Sequence, residues 1–128
     1  MHKIILAILM LFTNIAFAND IDVVADIHDV TVKAGETAKI QSLHNIHIIN
    51  STGHREKYHF TFCLEISGKR ECQYETFTVD NGKKETRYRD IAKYFIPGEE
   101  MAGSYNIKSL TSVNGIMRES DATLKVIK

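Results

Sequence analysis

The sequence predicts an all-β protein, folded as a two-layer sandwich of seven to eight mostly antiparallel strands. Apolar and polar residues alternate with a period of two along most of the chain, as they do in half-buried strands. Tight-turn pairs such as Asn-Gly and Ser-Gly separate these alternating runs. A helical spacing of apolar residues occurs in one short segment only. Many short strands divided by turn residues are typical of β-sandwiches.

The strands of the N-terminal half follow from this alternation. Residues 21–27 alternate, residues 30–32 form the next run, and a longer run starts at Lys39. The cluster Asn50-Ser51-Thr52-Gly53 then predicts a turn. From Tyr58 to Ile66 the alternation is strict, and it places four apolar side chains on one face: Phe60, Phe62, Leu64 and Ile66.

The C-terminal half continues in the same way. Residues 72–79 are predicted to form a strand, a further strand starts at Tyr105, and residues 122–126 alternate in the last strand. Asn81-Gly82 and Asn114-Gly115 each predict a two-residue hairpin, because Asn and Gly tolerate the positive φ angles of a type I′ turn.

The segment from Tyr88 to Phe95 is the one candidate for a short turn of helix. Ile91 and Phe95 lie four residues apart, which is a helical spacing. Pro97 would end such a helix, because proline cannot continue it.

The N-terminus predicts export. A short positive start ending at Lys3 precedes an almost unbroken apolar run, Ile4–Ala16, and Ala16-Phe17-Ala18 matches the small-residue cleavage pattern of secretory signal peptides. We therefore expect residues 1–18 to be a signal peptide and residues 19–128 to form a single β-sandwich domain. The expected location is periplasmic or secreted.

Charge excludes some partners. Lys and Arg total sixteen and Asp and Glu also total sixteen, so loss of Lys3 with the signal peptide would leave a net charge of about −1. A nearly neutral chain with interleaved charges gives no electrostatic reason to expect nucleic acid as a partner. No second apolar stretch is long enough to span a membrane.

The two cysteines, Cys63 and Cys72, predict one disulfide in an exported chain. A two-residue Ser67-Gly68 loop would place them directly opposite each other, on the outer face of a hairpin. A three-residue loop would pair more apolar residues but send the sulfurs to opposite faces. We favour the disulfide register, with a bulge near Glu75-Thr76 that returns Phe77 to the core.

Two segments resemble immunoglobulin-like domains. Residues 30–40 are similar to their first strands, and residues 97–107 are similar to the opening of a late strand. The resemblance implies an immunoglobulin-like β-sandwich in which Tyr105 forms a corner. The chain departs from antibody domains because it has no Trp and because its cysteines are too close in sequence to be the inter-sheet pair.

Histidines are the first candidates for metal chemistry, and five follow the predicted signal peptide: His28, His44, His47, His54 and His59. His44 and His47 are three residues apart, so a strand places them on opposite faces, where they cannot chelate one ion. We expect scattered surface histidines, no metal site and no cofactor.

Catalysis is also not expected. The chain has no G-x-S-x-G elbow and no Gly-rich phosphate loop. Both cysteines would be consumed by their bond, which leaves no thiolate nucleophile.

The preferred partner-binding residues are Arg87, Tyr88 and Arg89, because interfaces are enriched in Tyr and Arg. The predicted function is a small exported, non-enzymatic binding or accessory protein of the bacterial cell envelope, acting through protein–protein contacts. One alternative is a structural subunit of a fimbrial or secretion assembly, in which residues 21–27 are donated to a neighbour's sheet. Another is an inhibitor of a host enzyme. The preferred interpretation of residues 21–27 is the domain's own first strand.

Overall fold

The computed structural model describes residues 20–128, which form eight strands in two sheets packed face to face. The predicted signal peptide, residues 1–18, lies outside the described residues. The all-β sandwich prediction is confirmed. The strands are β1 Asp20–Ile27, β2 Val30–Lys33, β3 Ala38–Ile49, β4 Glu56–Ile66, β5 Lys69–Val79, β6 Lys84–Phe95, β7 Gly103–Val113 and β8 Ile116–Ile127. A single turn of 3-10 helix, Glu99–Met101, precedes β7.

The sheet order is that of an immunoglobulin-like sandwich. One sheet has the order β1-β3-β6 and the other β2-β8-β7-β4-β5. Strand pairs are antiparallel except β2–β8, which is parallel. The chain thus crosses from the first sheet to the second between β1 and β2, and β5 and β6 are left as edge strands on the same side of the sandwich.

Within residues 20–128, no helix has the length and apolar content needed to cross a membrane.

The first strand belongs to the domain's own sheet. β1 pairs with β3 over its whole length, from Asp20 opposite Ile49 to Ile27 opposite Ser42. Its inward side chains, Val23 and Ile27, are buried in the core.

The core has two apolar halves. One half contains Val23, Ile46, Ile48, Tyr58, Phe60, Phe62, Phe77, Val79 and Val113. The other contains Ile27, Val32, Ala38, Ile40, Leu64, Ile107, Leu124 and Val126. Between the two halves, Ser42 and His44 of β3 face Ser109 and Thr111 of β7, and all four are fully buried. We call these four residues the polar belt.

Two hairpin turns have the geometry that their sequence favours. Ser67-Gly68 connects β4 to β5 with φ angles of 51° and 80°, and Asn114-Gly115 connects β7 to β8 with φ angles of 44° and 86°. Positive φ at both positions defines a type I′ turn. The predicted Asn114-Gly115 hairpin is confirmed.

The predicted Asn81-Gly82 hairpin is wrong, because β5 and β6 belong to different sheets. The segment is tied instead to the turn that follows β3. Asn81 Oδ1 accepts a hydrogen bond from the Gly53 backbone N–H, and the Gly82 N–H donates to the carbonyl of Asn50. These long-range bonds direct the chain across the sandwich.

The predicted turn of helix at 88–95 is also wrong, because these residues lie within β6 and pair with β3. Ile91 and Phe95 are four residues apart, and an even spacing also places two side chains on one face of a strand. Both side chains pack against the core.

The β4–β5 hairpin has the register predicted from the disulfide. Cys63 lies opposite Cys72 with a Cα–Cα distance of 4.2 Å, and their sulfurs are bonded. The predicted bulge near Glu75-Thr76 is wrong, because pairing continues without interruption from Ile66–Lys69 to Glu56–Val79. Phe77 already faces inward in this register.

Tyr105 forms the predicted corner. Its hydroxyl donates a hydrogen bond of 2.7 Å to the carbonyl of Met101 and so ties the 3-10 helix to β7.

We expect Tyr105→Phe to lower the free energy of unfolding by about 1 kcal/mol, because one partly buried hydrogen bond is lost. Urea denaturation measures this change, and Tyr74→Phe is a matched control because Tyr74 is largely exposed on the outer face of β5. An equal effect of both substitutions would contradict a structural role for the corner.

Candidate functional site

The polar belt is a hydrogen-bonded cluster. His44 Nε2 lies 2.8 Å from Ser42 Oγ, and His44 Nδ1 lies 2.9 Å from Thr111 Oγ1. Ser42 Oγ lies 2.6 Å from Ser109 Oγ, and Thr111 Oγ1 donates to the carbonyl of Val24. Hydroxyl groups can donate or accept, so a neutral imidazole can be satisfied at both nitrogens.

Burial makes His44 a poor base at neutral pH. Desolvation lowers the pKa of His44 from 6.5 to about 4, against the smaller opposing effects of a hydrogen bond to Leu110 and the charge of Asp90. The hydroxyl–imidazole pairs resemble the parts of a hydrolytic site, but the imidazole and all three hydroxyl-bearing residues are fully buried. A substrate therefore has no access to them.

The expectation that the histidines are at the surface is wrong for His44. The missed signal is its place in the alternation of β3, where it shares the inward face with Ile40 and Ile46. His47 does lie on the opposite, exposed face and contacts Thr86 Oγ1. In residues 20–128, no three His, Cys, Asp or Glu side chains converge as a metal site would require.

The predicted partner residues do not share one surface. Arg87 and Arg89 face inward from β6, whereas Tyr88 points outward. Both arginines form ion pairs with Glu75 of β5, across the side of the sandwich where the edge strands β5 and β6 face each other. We call this side the open side of the sandwich. Their guanidinium groups lie over aromatic rings, Arg87 4.9 Å from the ring centroid of Phe77 and Arg89 5.8 Å from that of Phe62.

Tyr88 instead belongs to the outer face of the β1-β3-β6 sheet. Val24, Asn45 and Tyr88 are register partners in one row across the three strands. Val24 is 45% exposed and Tyr88 54% exposed, and Tyr94 farther along β6 is 59% exposed. Asn45 Oδ1 is buried and has no hydrogen-bond partner within residues 20–128. We call Val24, Asn45, Tyr88 and Tyr94 the tyrosine face.

The open side of the sandwich contains a second surface feature, a slot between the ends of β5 and β6. Leu64, Ile66, Phe95 and Met101 form its apolar lining, and Lys69, Glu71 and Lys93 complete the wall. Its volume is about 200 Å³. Lys93 Nζ donates to Glu71 Oε1 over a distance of 2.8 Å. Sequence reasoning missed this slot because its residues come from separate elements that meet only in the folded sandwich.

Asn50-Ser51-Thr52 matches the N-x-S/T acceptor pattern of N-glycosylation, but Asn50 is not accessible for modification in the folded domain. Asn50 is fully buried. Its amide nitrogen donates to the carbonyls of His54 and Val79, and its Oδ1 accepts from Thr52. The residue thus holds the turn between β3 and β4 in place.

Comparison with known proteins gives only weak structural similarities. The chain matches no protein-family model, and no curated protein compared with it matches. Among solved structures it is similar to the CARDB domain of the PF1109 protein from Pyrococcus furiosus, in complex with di-metal ions. The identity is 15% and the TM-score 0.43, over 85% of this chain and 89% of that chain.

Two larger proteins give similar scores. The alkylpurine DNA glycosylase AlkC of Pseudomonas fluorescens is 11% identical with a TM-score of 0.44, over 82% of this chain and 30% of that chain. A beta-glucosidase of Listeria innocua is 10% identical with a TM-score of 0.45, over 86% of this chain and 17% of that chain. At identities and TM-scores this low, the similarities carry no argument about fold or function.

Proposed function

We propose that this chain is a small exported, non-enzymatic binding protein of the bacterial cell envelope that contacts a partner protein through its tyrosine face. The observation that carries the proposal is the row Val24–Asn45–Tyr88, in which two exposed apolar side chains flank a polar one. Tyrosine is enriched at protein interfaces, where its ring supplies contact area and its hydroxyl remains compatible with water.

Asn45 adds an argument for a bound partner. A buried acceptor without a hydrogen bond costs about 1–3 kcal/mol. Asn45 Oδ1 is such an acceptor, and Tyr88 is its neighbour in the row. A partner that displaces the side chains covering this oxygen and donates an N–H to it would remove that cost.

The proposals of export and of a non-enzymatic role rest on separate observations. Residues 1–18 match the pattern expected of a signal peptide, and the Cys63–Cys72 disulfide suits an oxidising compartment. The imidazole and hydroxyl groups of the polar belt, which would suit acyl transfer if they were exposed, have no access to solvent. These facts support a protein that binds rather than one that catalyses.

Site-specific photo-crosslinking in the native host tests the proposal. A photoreactive phenylalanine analogue at position 88 is expected to give one discrete adduct with an envelope protein, and the same analogue at position 74 is expected to give none. Tyr74 is a matched control because it is also an exposed tyrosine, on the outer face of the other sheet. Tyr88→Ser should weaken binding of the purified partner at least tenfold, as for an interface hot spot.

Several results would overturn the proposal. Adducts from position 74 alone would place the interface on the β2-β8-β7-β4-β5 sheet instead of the tyrosine face. Equal adducts from both positions, or adducts from neither, would show that the tyrosine face is not a specific interface. Intact-mass measurement of the same protein should show the loss of residues 1–18, and retention of Met1 would contradict export.

A further inference from the structure

The slot exists because two edge strands face each other across the open side of the sandwich. β5 is the edge of one sheet and β6 the edge of the other. Long side chains bridge the gap, with Arg87 and Arg89 paired to Glu75 and Lys93 paired to Glu71. The arginines cover aromatic rings, whereas the Lys93–Glu71 pair adjoins an open apolar space.

Inward-pointing charges also protect sheet edges from pairing with other chains. That role accounts for the ion pairs, but it does not require an apolar space behind them. Leu64 is buried at the base of the slot, and Ile66, Phe95 and Met101 are half-buried around it. The hydrogen bond from Tyr105 to the Met101 carbonyl holds the 3-10 helix beside this space.

The size of the slot suits a small apolar group. An apolar cavity of about 150 Å³ holds a benzene molecule. The slot measures about 200 Å³ and opens to solvent on one side, so a ring or a short aliphatic chain can enter while a polar end remains at the mouth.

The mouth carries more positive than negative charge. The Lys93 ammonium lowers the pKa of Glu71 by a hydrogen bond and by its charge, and Lys69 adds a smaller effect in the same direction. Two ammonium groups therefore act on one carboxylate. Because Glu71 is 63% exposed and Lys93 41% exposed, their pair can open without disturbing the core.

We propose that this slot binds short amphipathic carboxylates, with the apolar chain against Leu64, Phe95 and Met101 and the carboxylate between Lys69 and Lys93. In this arrangement the ligand carboxylate displaces Glu71 from Lys93. The slot lies on the open side of the sandwich and the tyrosine face on the outside of one sheet, so this inference is independent of the proposed protein contact.

Three probes that share one chain length and differ in charge test the ligand class: octanoate, 1-octanol and octylamine, with the charged probes below their micelle concentrations and 1-octanol below its solubility limit. NMR of the isotope-labelled protein should show saturable shifts of the Met101 and Ile66 methyl signals with octanoate. Octanoate should bind at least fivefold more tightly than octylamine.

Two substitutions at the mouth should move the affinities in opposite directions. Lys93→Gln should weaken octanoate binding about fivefold or more. Glu71→Gln should strengthen octanoate binding several-fold and weaken octylamine binding, because it removes the competing carboxylate. Lys57→Gln, at an exposed position on the outer face of β4, is the control and should change neither affinity.

The outcomes that overturn the proposal are equally specific. Shifts that do not saturate, or that spread over the surface, would show that the slot is not a site. Octylamine binding as tightly as octanoate, or a Glu71→Gln effect of the same sign on both probes, would exclude recognition of a carboxylate. Thermal melts of each variant establish that the fold is retained.

Discussion

Acidification from pH 7 to pH 4 is expected to lower the free energy of unfolding by about 3 kcal/mol through His44 alone. The pKa of this imidazole is 6.5 in an unfolded chain and about 4 in the folded domain, where burial disfavours its charged form. The unfolded state therefore binds a proton first as the pH falls. His44 imposes no penalty above pH 6.5, an increasing penalty between pH 6.5 and 4, and a constant penalty below that.

The pH window separates the effect of His44 from that of Glu71. Glu71 has a lowered pKa and also loses a stabilising interaction in acid, but only as the pH falls below the usual carboxyl range. We therefore expect the slope of stability between pH 6.5 and 5 to come mainly from His44, whose pKa is lowered by burial. Urea denaturation at half-unit pH intervals measures it.

Two variants test this assignment. His44→Gln should be less stable at pH 7 because the polar belt is disturbed, but its stability should be nearly flat between pH 6.5 and 5. His47→Gln removes an exposed imidazole from the same strand and should keep the wild-type slope. A wild-type slope in His44→Gln would show that another group causes the acid sensitivity.

Removal of the disulfide is the second large effect expected. The double variant Cys63→Ala, Cys72→Ala should lose about 2–3 kcal/mol, since the bond closes a small loop in the unfolded chain. The sequence separation of the two residues is 9. Cys63 is also buried opposite Leu110, so its truncation removes packing as well as the bond.

The next cross-strand pair on the same face provides a matched control. Thr61 lies opposite Tyr74, and the variant Thr61→Ala, Tyr74→Ala should lose about 1 kcal/mol or less, as is usual for such pairs. An unchanged denaturation midpoint after loss of both cysteines would show that the disulfide does not stabilise the domain.

Local sequence predicted the parts of the fold that depend on near neighbours. Alternation identified the strands because it records directly which side chains are buried. Ser67-Gly68 and Cys63–Cys72 together determined one hairpin register, since a two-residue turn and a disulfide both require it. The hairpin predicted at Asn81-Gly82 was wrong because these residues form hydrogen bonds with the Asn50–Gly53 turn, which is distant in sequence.

The candidate sites were less predictable for a similar reason. Arg87, Tyr88 and Arg89 are adjacent in sequence, but a strand sends alternate residues to opposite faces. Considering residues 88–95 as a candidate turn of helix hides that division. The slot could not be predicted from the sequence, because it depends on the distance between two strands of different sheets.

The polar belt also determines how the two layers are aligned. A slide of β3 by two residues against β7 would bring hydroxyl and imidazole groups opposite isoleucine or valine. Each buried polar group left without a hydrogen bond would cost about 1–3 kcal/mol. Apolar side chains alone would tolerate such an offset far better. Filling the centre of the core with aliphatic residues would therefore be expected to yield a domain that is harder to denature but less uniquely packed.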